Sequence, residues 1–349
     1  MGVTVKDVAR LAGVSTATVS RALRGFGSVD PSISERVVDA ANRLGYVGSH
    51  AAAALSTGKA GTIAIITPFV DRLAFQRMLT GVEHELRDTG MDLLIYCTGD
   101  PSDPHPVPPH KRLAKRVDGF IVMSLSPESP DLAEILNLRM PLTMFGAHAP
   151  GASSVQIDDR EGAASAVRHL LDLGHRRIGI VYGRESTNPL VLEHQRHLGV
   201  RDALAGQGVE RDEELSVAGE FTMTGGAAAM ERLLDLEVPP TAVFAFSDEM
   251  AYGAIQTIRR RGLALGRDIA LIGYDGHEMS SILDLSTISV PFEELGARAA
   301  HILLSDIEDG GSAGPVSEML PTELVVRSST AGSGTTPASR AAAAAGTPD

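Results

Sequence analysis

Tryptophan is absent from the 349 residues, cysteine occurs once, and aromatic side chains make up only 4% of the chain. A single thiol, Cys97 in the apolar run MDLLIYCTG, excludes an intramolecular disulfide. With no basic or histidine neighbour it reads as a small core residue, not a nucleophile. No segment approaches the ~20 apolar residues of a membrane span, and the start MGVTVKDVARLAGV has no apolar run of export-signal length. A soluble intracellular protein is the expectation. Catalytic signatures are missing as well: there is no G-x-S-x-G elbow, no phosphate-loop lysine motif and no G-x-G-x-x-G at a first strand. The 11 histidines are scattered, and His194 and His197 have no flanking acidic set to complete a zinc site. Asp275-Gly276-His277-Glu278 reads as a loop. No catalysis, metal or cofactor is expected.

The charge that is present is unevenly spread. A formal net charge of −13, taken alone, argues against a nucleic-acid partner. Residues 1–60, however, carry seven basic and four acidic side chains and are net +3, which leaves −16 on the remainder. The asymmetry marks a basic N-terminal module on an acidic body.

That module reads as short helices. Thr4-Val5-Lys6-Asp7 has the form of a capping box, and Val5, Val8, Ala9 and Ala12 share one apolar face. Gly13 ends the helix and Val14 plugs the turn. Ser15 starts a second helix whose Val19, Ala22 and Leu23 face inward. A third follows Asp30-Pro31, with Ile33, Val37, Ala41 and Leu44 as its stripe and Gly45 as its stop. Helix, glycine turn and helix at this spacing place a second helix in a major groove. Its outer face holds Thr16, Ala17, Ser20, Arg21 and Arg24. Arg21 suits bidentate reading of guanine, Ala17 and the Thr16 methyl suit thymine methyls, and Ser20 or Thr18 reaches phosphates. Thr4 and Ser15, at the two helix starts, complete the DNA-contacting set. A solvated face on a small helical subdomain is the plainer alternative; the turn and the basic segment favour DNA.

From Thr62 the pattern becomes strand and helix in alternation. Apolar runs at 62–66, 92–97, 119–123, 142–146, 177–183, 242–248 and 269–275 are separated by amphipathic stretches. Such runs mean parallel sheets covered on both faces, and this length favours two α/β lobes over one open sheet. Asp100–His110, with five prolines, is expected as an exposed loop, and the small-residue stretch 331–349 as a disordered tail.

The N-terminal run TVKDVARLAGVSTATVSRALRG, followed by RVVDAANRLGY, resembles the headpiece of the lactose/galactose repressor (LacI/GalR) family. The resemblance continues through RVDGFIV, QIDDREGAASAVRHLLDLGHRRIGIVYG, FSDEMAYGAI, DIALIGYDG and LPTELVVRSST, spanning about residues 3–330. It implies a helix-turn-helix headpiece (1–47), a hinge helix and linker (48–60) and a two-lobed, periplasmic-binding-protein-like (type I) body (61–330). Lobe 1 would comprise about 61–159 and 291–330, and lobe 2 about 160–290. It further implies a homodimer on a pseudo-palindromic operator, repressing transcription, with Leu55 wedged into the minor groove to bend the duplex. Gly48, Ala53 and Ser56 depart from the usual hinge, which predicts weaker or more salt-sensitive docking. In the body the resemblance offers Phe69, Phe75, Ser124, Ser126, Asp158, Arg196, Phe221, Asp248 and Asp275 as effector contacts. Carboxylates with one arginine can bond vicinal hydroxyls, and phenylalanines can cover a sugar face, so a mono- or oligosaccharide is the implied effector. Plainer roles stand beside these: Asp275 as a turn residue, Asp248 as a helix cap, Phe75 and Phe221 as core. A carbohydrate-binding protein without a DNA role is the alternative function, and it leaves the basic module unused.

Overall fold

The computed structural model describes residues 3–23, 29–46, 59–100, 103–104, 110–125, 129–146, 148–184, 191–310 and 314–331. The chain divides into two units, Met1–Gly61 and Thr62–Asp349.

The first unit holds α1 (Val5–Ala12), α2 (Thr16–Leu23) and α3 (Pro31–Leu44). Asp7 accepts from both the amide and the hydroxyl of Thr4, at 3.0 and 2.6 Å, which fixes the start of α1. Gly13 ends it with φ +68°, a conformation that favours glycine, and the Val14 amide bonds back to the Ala9 carbonyl at 3.1 Å. Ser15 Oγ then accepts from the Thr18 amide at 3.1 Å and starts α2. Asp30 starts α3 in the same way through the Ser32 amide, with Pro31 in the first turn. The core is built from small residues: Val8, Ala9, Ala12, Val19, Ala22, Val37, Ala40 and Ala41. Leu23 differs from the inward position expected for it and is 38% exposed, because α1 and α3 cover α2 at Val19 and Ala22, not at its last residue. Arg24, Leu55 and the expected hinge at 48–58 lie outside the described residues, as does 332–349.

The second unit contains two six-stranded sheets. In the first, β1 (Thr62–Thr67), β2 (Asp92–Cys97), β3 (Gly119–Met123), β4 (Leu142–Phe145) and β5 (Ser153–Ile157) join the late strand β11 (Ser317–Leu320). The order is β11-β5-β4-β3-β1-β2, parallel throughout. The second sheet uses β6 (Ile178–Tyr182), β7 (Ser216–Ala218), β8 (Ala242–Ala245), β9 (Ala270–Asp275), β10 (Ser286–Ser289) and β12 (Glu323–Val325). Its order is β12-β10-β9-β8-β6-β7, with only β12 antiparallel. Central strands such as Thr62–Thr67 and Gly119–Met123 are buried at every position, as a sheet covered on both faces requires. The covering helices are α4 (Leu73–Leu86), α5 (Pro130–Asn137), α6 (Asp159–Asp172), α7 (Leu192–Gly206), α8 (Met223–Leu234), α9 (Asp248–Arg260), α10 (Glu278–Ile282) and α11 (Phe292–Glu308). They pack in pairs, α4 with α11, α6 with α7, and α8 with α9.

The chain passes between the sheets three times: after β5, between β10 and α11, and between β11 and β12. The last passage corrects the expected lobe boundary, which gave all of 291–330 to the first lobe. Glu323–Val325 belongs to the second, where β10 offers an open edge that β12 pairs. The expected loop 100–110 also contains order: Gly99–Asp100 and Asp103–Pro104 form a two-residue antiparallel ladder.

Candidate functional site

The first site is the outer surface of α2. Thr16, Ala17 and Arg21 are exposed there, as is Ser15 at its start, while Thr18 and Ser20 are half-buried. Ser15 and Thr18 hydroxyls bond each other at 2.9 Å, so Thr18 is partly committed to the helix start. Arg21 bonds to the Ala17 carbonyl of its own helix at 3.4 Å, a long contact that water or a nucleic acid can replace. Thr4 is exposed, its hydroxyl already given to Asp7.

The second site is a cavity of about 990 Å³ at the strand ends of the two sheets. Phe69, Phe75, Ser124, Asp158, Arg196, Phe221 and Asp275 all line it. Phe69 and Phe75 come from the β1–α4 connection and the first turn of α4, and Ser124 follows β3 with φ +51°. Asp158 starts α6 by accepting from the Glu161 amide at 2.9 Å. The Phe221 ring packs against Gly183, where a Cβ would stand 1.8 Å from it, so only glycine leaves room for this wall.

Arg196 is the most constrained of these groups. It projects from α7, is 4% exposed, donates to Asp159 at 2.8 Å and also to the Phe246 carbonyl, and lies 3.7 Å from the Tyr274 ring centroid. Burial works against its charge, but Asp159, Tyr274 and Asp275 more than offset that and hold the guanidinium protonated. Asp159 shows the reverse balance, since burial raises its pKa despite Arg196. Asp275 ends β9 with φ +120°, a backbone conformation that costs an aspartate energy and aims its side chain at the cavity. Its pKa is raised well above the usual range by burial and then by the nearby Asp248.

Asp248, expected on the cavity wall, lies beneath it. As the first residue of α9 it turns back under β9 and β10 and is 1% exposed. There its carboxylate accepts from Thr287 Oγ1 and Ser280 Oγ, each at 2.7 Å, and from the His277 amide at 2.8 Å. Those donors make it a buried support that bonds the Asp275 carboxylate through its own amide at 3.4 Å. Nor does Asp248 cap its helix; Ser247 does, accepting from the Met250 amide at 3.2 Å.

Several lining residues have no counterpart in the sequence reading. Arg72 lies 5.1 Å from the Phe69 ring centroid and reaches across the cavity to the Phe221 carbonyl at 2.9 Å and to Glu249 at 3.8 Å. Glu249 also accepts from the Leu73 amide at 3.1 Å. Glu193, Phe145 and Phe292 complete the walls, and burial raises the pKa of Glu193. Asp159 was legible only as a neighbour of Asp158, and nothing local distinguishes which of two adjacent aspartates will face an arginine. Ser126 lies outside the described residues. Among the described residues no group of three or more histidine, cysteine, aspartate or glutamate side chains is arranged to hold a metal ion.

The pattern of bacterial regulatory proteins, lacI family, matches residues 4–49, and that of the periplasmic binding protein-like domain matches 167–330. The transcriptional repressor CytR of Escherichia coli (strain K12) is 35% identical over 332 residues, covering 94% of this chain and 96% of CytR. Among solved structures, a complex of the transcriptional regulator CelR with cellobiose aligns with TM-score 0.68 and 30% identity, over 94% of this chain and 99% of that one. The lac repressor dimer bound to operator and the anti-inducer ONPF aligns with TM-score 0.81 and 25% identity, over 95% and 99%.

Proposed function

This chain belongs to the lacI family of bacterial regulatory proteins, and on that premise we propose that it is a transcriptional repressor whose operator affinity is set by a sugar held in the cavity of its body. One pairing carries the reading: a helix-turn-helix unit exposing Thr16, Ala17 and Arg21, joined in one chain to a cavity lined by phenylalanines, carboxylates and Arg196. Two similar proteins agree in kind, since CytR is a repressor and the CelR structure holds cellobiose.

The headpiece acts as a homodimer on a pseudo-palindromic operator, α2 of each copy entering a major groove, with Leu55 as the proposed minor-groove wedge. Arg21 reads a guanine, and Ser15, Thr18 and Ser20 serve phosphates. The lac repressor structure, itself a dimer on operator, supports this arrangement. In the cavity Arg196 and Asp275 bond sugar hydroxyls while Phe69, Phe75 and Phe221 cover the ring faces. Sugar binding and operator binding are coupled by ~1–3 kcal/mol, reciprocally. No helix among the described residues is long and apolar enough to cross a membrane, in keeping with work on DNA in the bacterial cytoplasm. No catalytic step is assigned.

The test is titration of the full chain against a randomised pool of duplexes, with selection and sequencing of what it retains. The expected result is enrichment of a pseudo-palindrome, with affinity falling ~10³–10⁵-fold between 50 and 200 mM salt for some 6–10 phosphate contacts. Retention without sequence enrichment would refute the repressor reading.

A further inference from the structure

Among the described residues, seven carboxylates and four guanidinium groups line the cavity. Each arginine already faces a carboxylate. Arg196 bonds Asp159 at 2.8 Å, Arg184 bonds Glu220 at 3.0 Å, Arg160 bonds Asp202 at 2.6 Å, and Arg72 stands 3.8 Å from Glu249. Glu193 and Asp275 add further acid to the walls, both with burial opposing their ionisation.

We propose that the effector is an uncharged polyhydroxylated ligand larger than a single sugar ring, and that the cavity rejects sugars bearing a phosphate or a carboxylate. This rests on the repressor reading only in taking the cavity as the effector site. The physical reason is the committed state of the cations. Arg196 is buried with Asp159, so an anion there must compete with a carboxylate already in place, while Arg184 and Arg160, in part-exposed pairs, are neutralised by Glu220 and Asp202. An incoming anion must also enter a lining in which carboxyl groups outnumber guanidinium groups seven to four. Hydroxyl groups meet neither obstacle, because they donate to carboxylates without adding charge. The apolar walls suit the same ligand: half-buried Phe69 and Phe221 border the cavity, backed by the core residues Phe75, Phe145 and Phe292. A volume of about 990 Å³ lies at the upper end of small-molecule cavities, ~300–1,000 Å³, and leaves room beyond one ring.

Isothermal titration of the full chain tests this with matched sets: glucose, glucose 6-phosphate and glucuronic acid, then cellobiose, cellobiose phosphate and cellobionic acid, with other neutral mono- and disaccharides screened alongside in the same way. The expected result is a neutral disaccharide that binds at least tenfold more tightly than its anionic counterparts and than its constituent monosaccharide. Glu220→Gln should narrow the gap to the anionic member severalfold by releasing Arg184 from its carboxylate. An anionic member binding as tightly as its neutral counterpart overturns the charge argument, and a monosaccharide binding most tightly overturns the size argument. Silence across every set, with operator binding intact, instead sinks the sugar-effector reading itself, a result distinguishable from either.

Discussion

Arg21 lies exposed on α2 of the headpiece, bonded to a carbonyl of its own helix, whereas Arg196 of the body is 4% exposed and held by Asp159, the Phe246 carbonyl and the Tyr274 ring. The contrast extends to their surroundings. Headpiece pairs such as Arg10–Asp7 and Arg43–Asp39 are solvent-exposed and contribute little, so their arginines exchange readily for phosphates. At the cavity, Arg184 and Arg160 sit in similarly part-exposed pairs, whereas Arg196 is buried with Asp159. Net charge therefore describes the long-range field of each unit, while the partners of each arginine decide what it can still bind.

Deleting residues 1–60 is the most severe test of this division. Operator binding should vanish, and the body, which has its own cores, should keep its thermal transition. Sequence-preferring binding by the shortened chain would erase the contrast. Next in size is Arg196→Ala, which leaves Asp159 buried without its cation and should cost ~3–5 kcal/mol in denaturant unfolding. A loss of the size seen for exposed pairs would mean that Arg196 is no more committed than Arg21. Arg21→Ala should weaken operator binding by ~1–3 kcal/mol and relax preference at one base pair. Equal weakening on all sequences would make Arg21 a phosphate contact.

The smallest expected effect concerns pH. Burial pushes the Asp248 carboxyl from its ordinary 3.8 up to about 6, against the lowering effect of bonds from Thr287, Ser280 and His277. The native chain thus keeps a proton that the unfolded chain releases. Asp248's contribution is full below 3.8 and declines as pH rises through about 6. Wild type should lose on the order of 1–2 kcal/mol relative to Asp248→Asn between those limits, read by urea unfolding at several pH values. A difference that is flat or of opposite sign would show that Asp248 ionises as freely as an exposed carboxylate.

How legible the fold was depended on what each strand buries. Runs such as IALIGYD and GFIVM announce themselves by apolar composition, and both are central strands. Ser153–Ile157 and Ser286–Ser289 are also largely buried but are not among those apolar runs, because their hydroxyls are satisfied only in the folded chain. Ser154 meets Ser317 at 3.2 Å, and Ser286 meets Thr330 at 2.7 Å, contacts spanning more than 40 residues. The same limit applies to the cavity. Asp275 and Arg196 were both named through the family resemblance. Asp159, Glu249 and Arg72 gain meaning only when elements distant in sequence meet. Asp248 failed for a local reason: one residue's rotation at a strand–helix turn decides between wall and foundation.

The three passages of the chain between the sheets have a mechanical consequence. Two bodies on a single tether can swivel about it in any direction. Three spans, near Ile157–Asp159, Ser289–Phe292 and Leu320–Glu323, act as a stiff strap that resists torsion and leaves bending as the soft coordinate. A ligand that favours one bend angle then displaces the whole lobe along that single coordinate, and little of its binding free energy is dissipated in other motions.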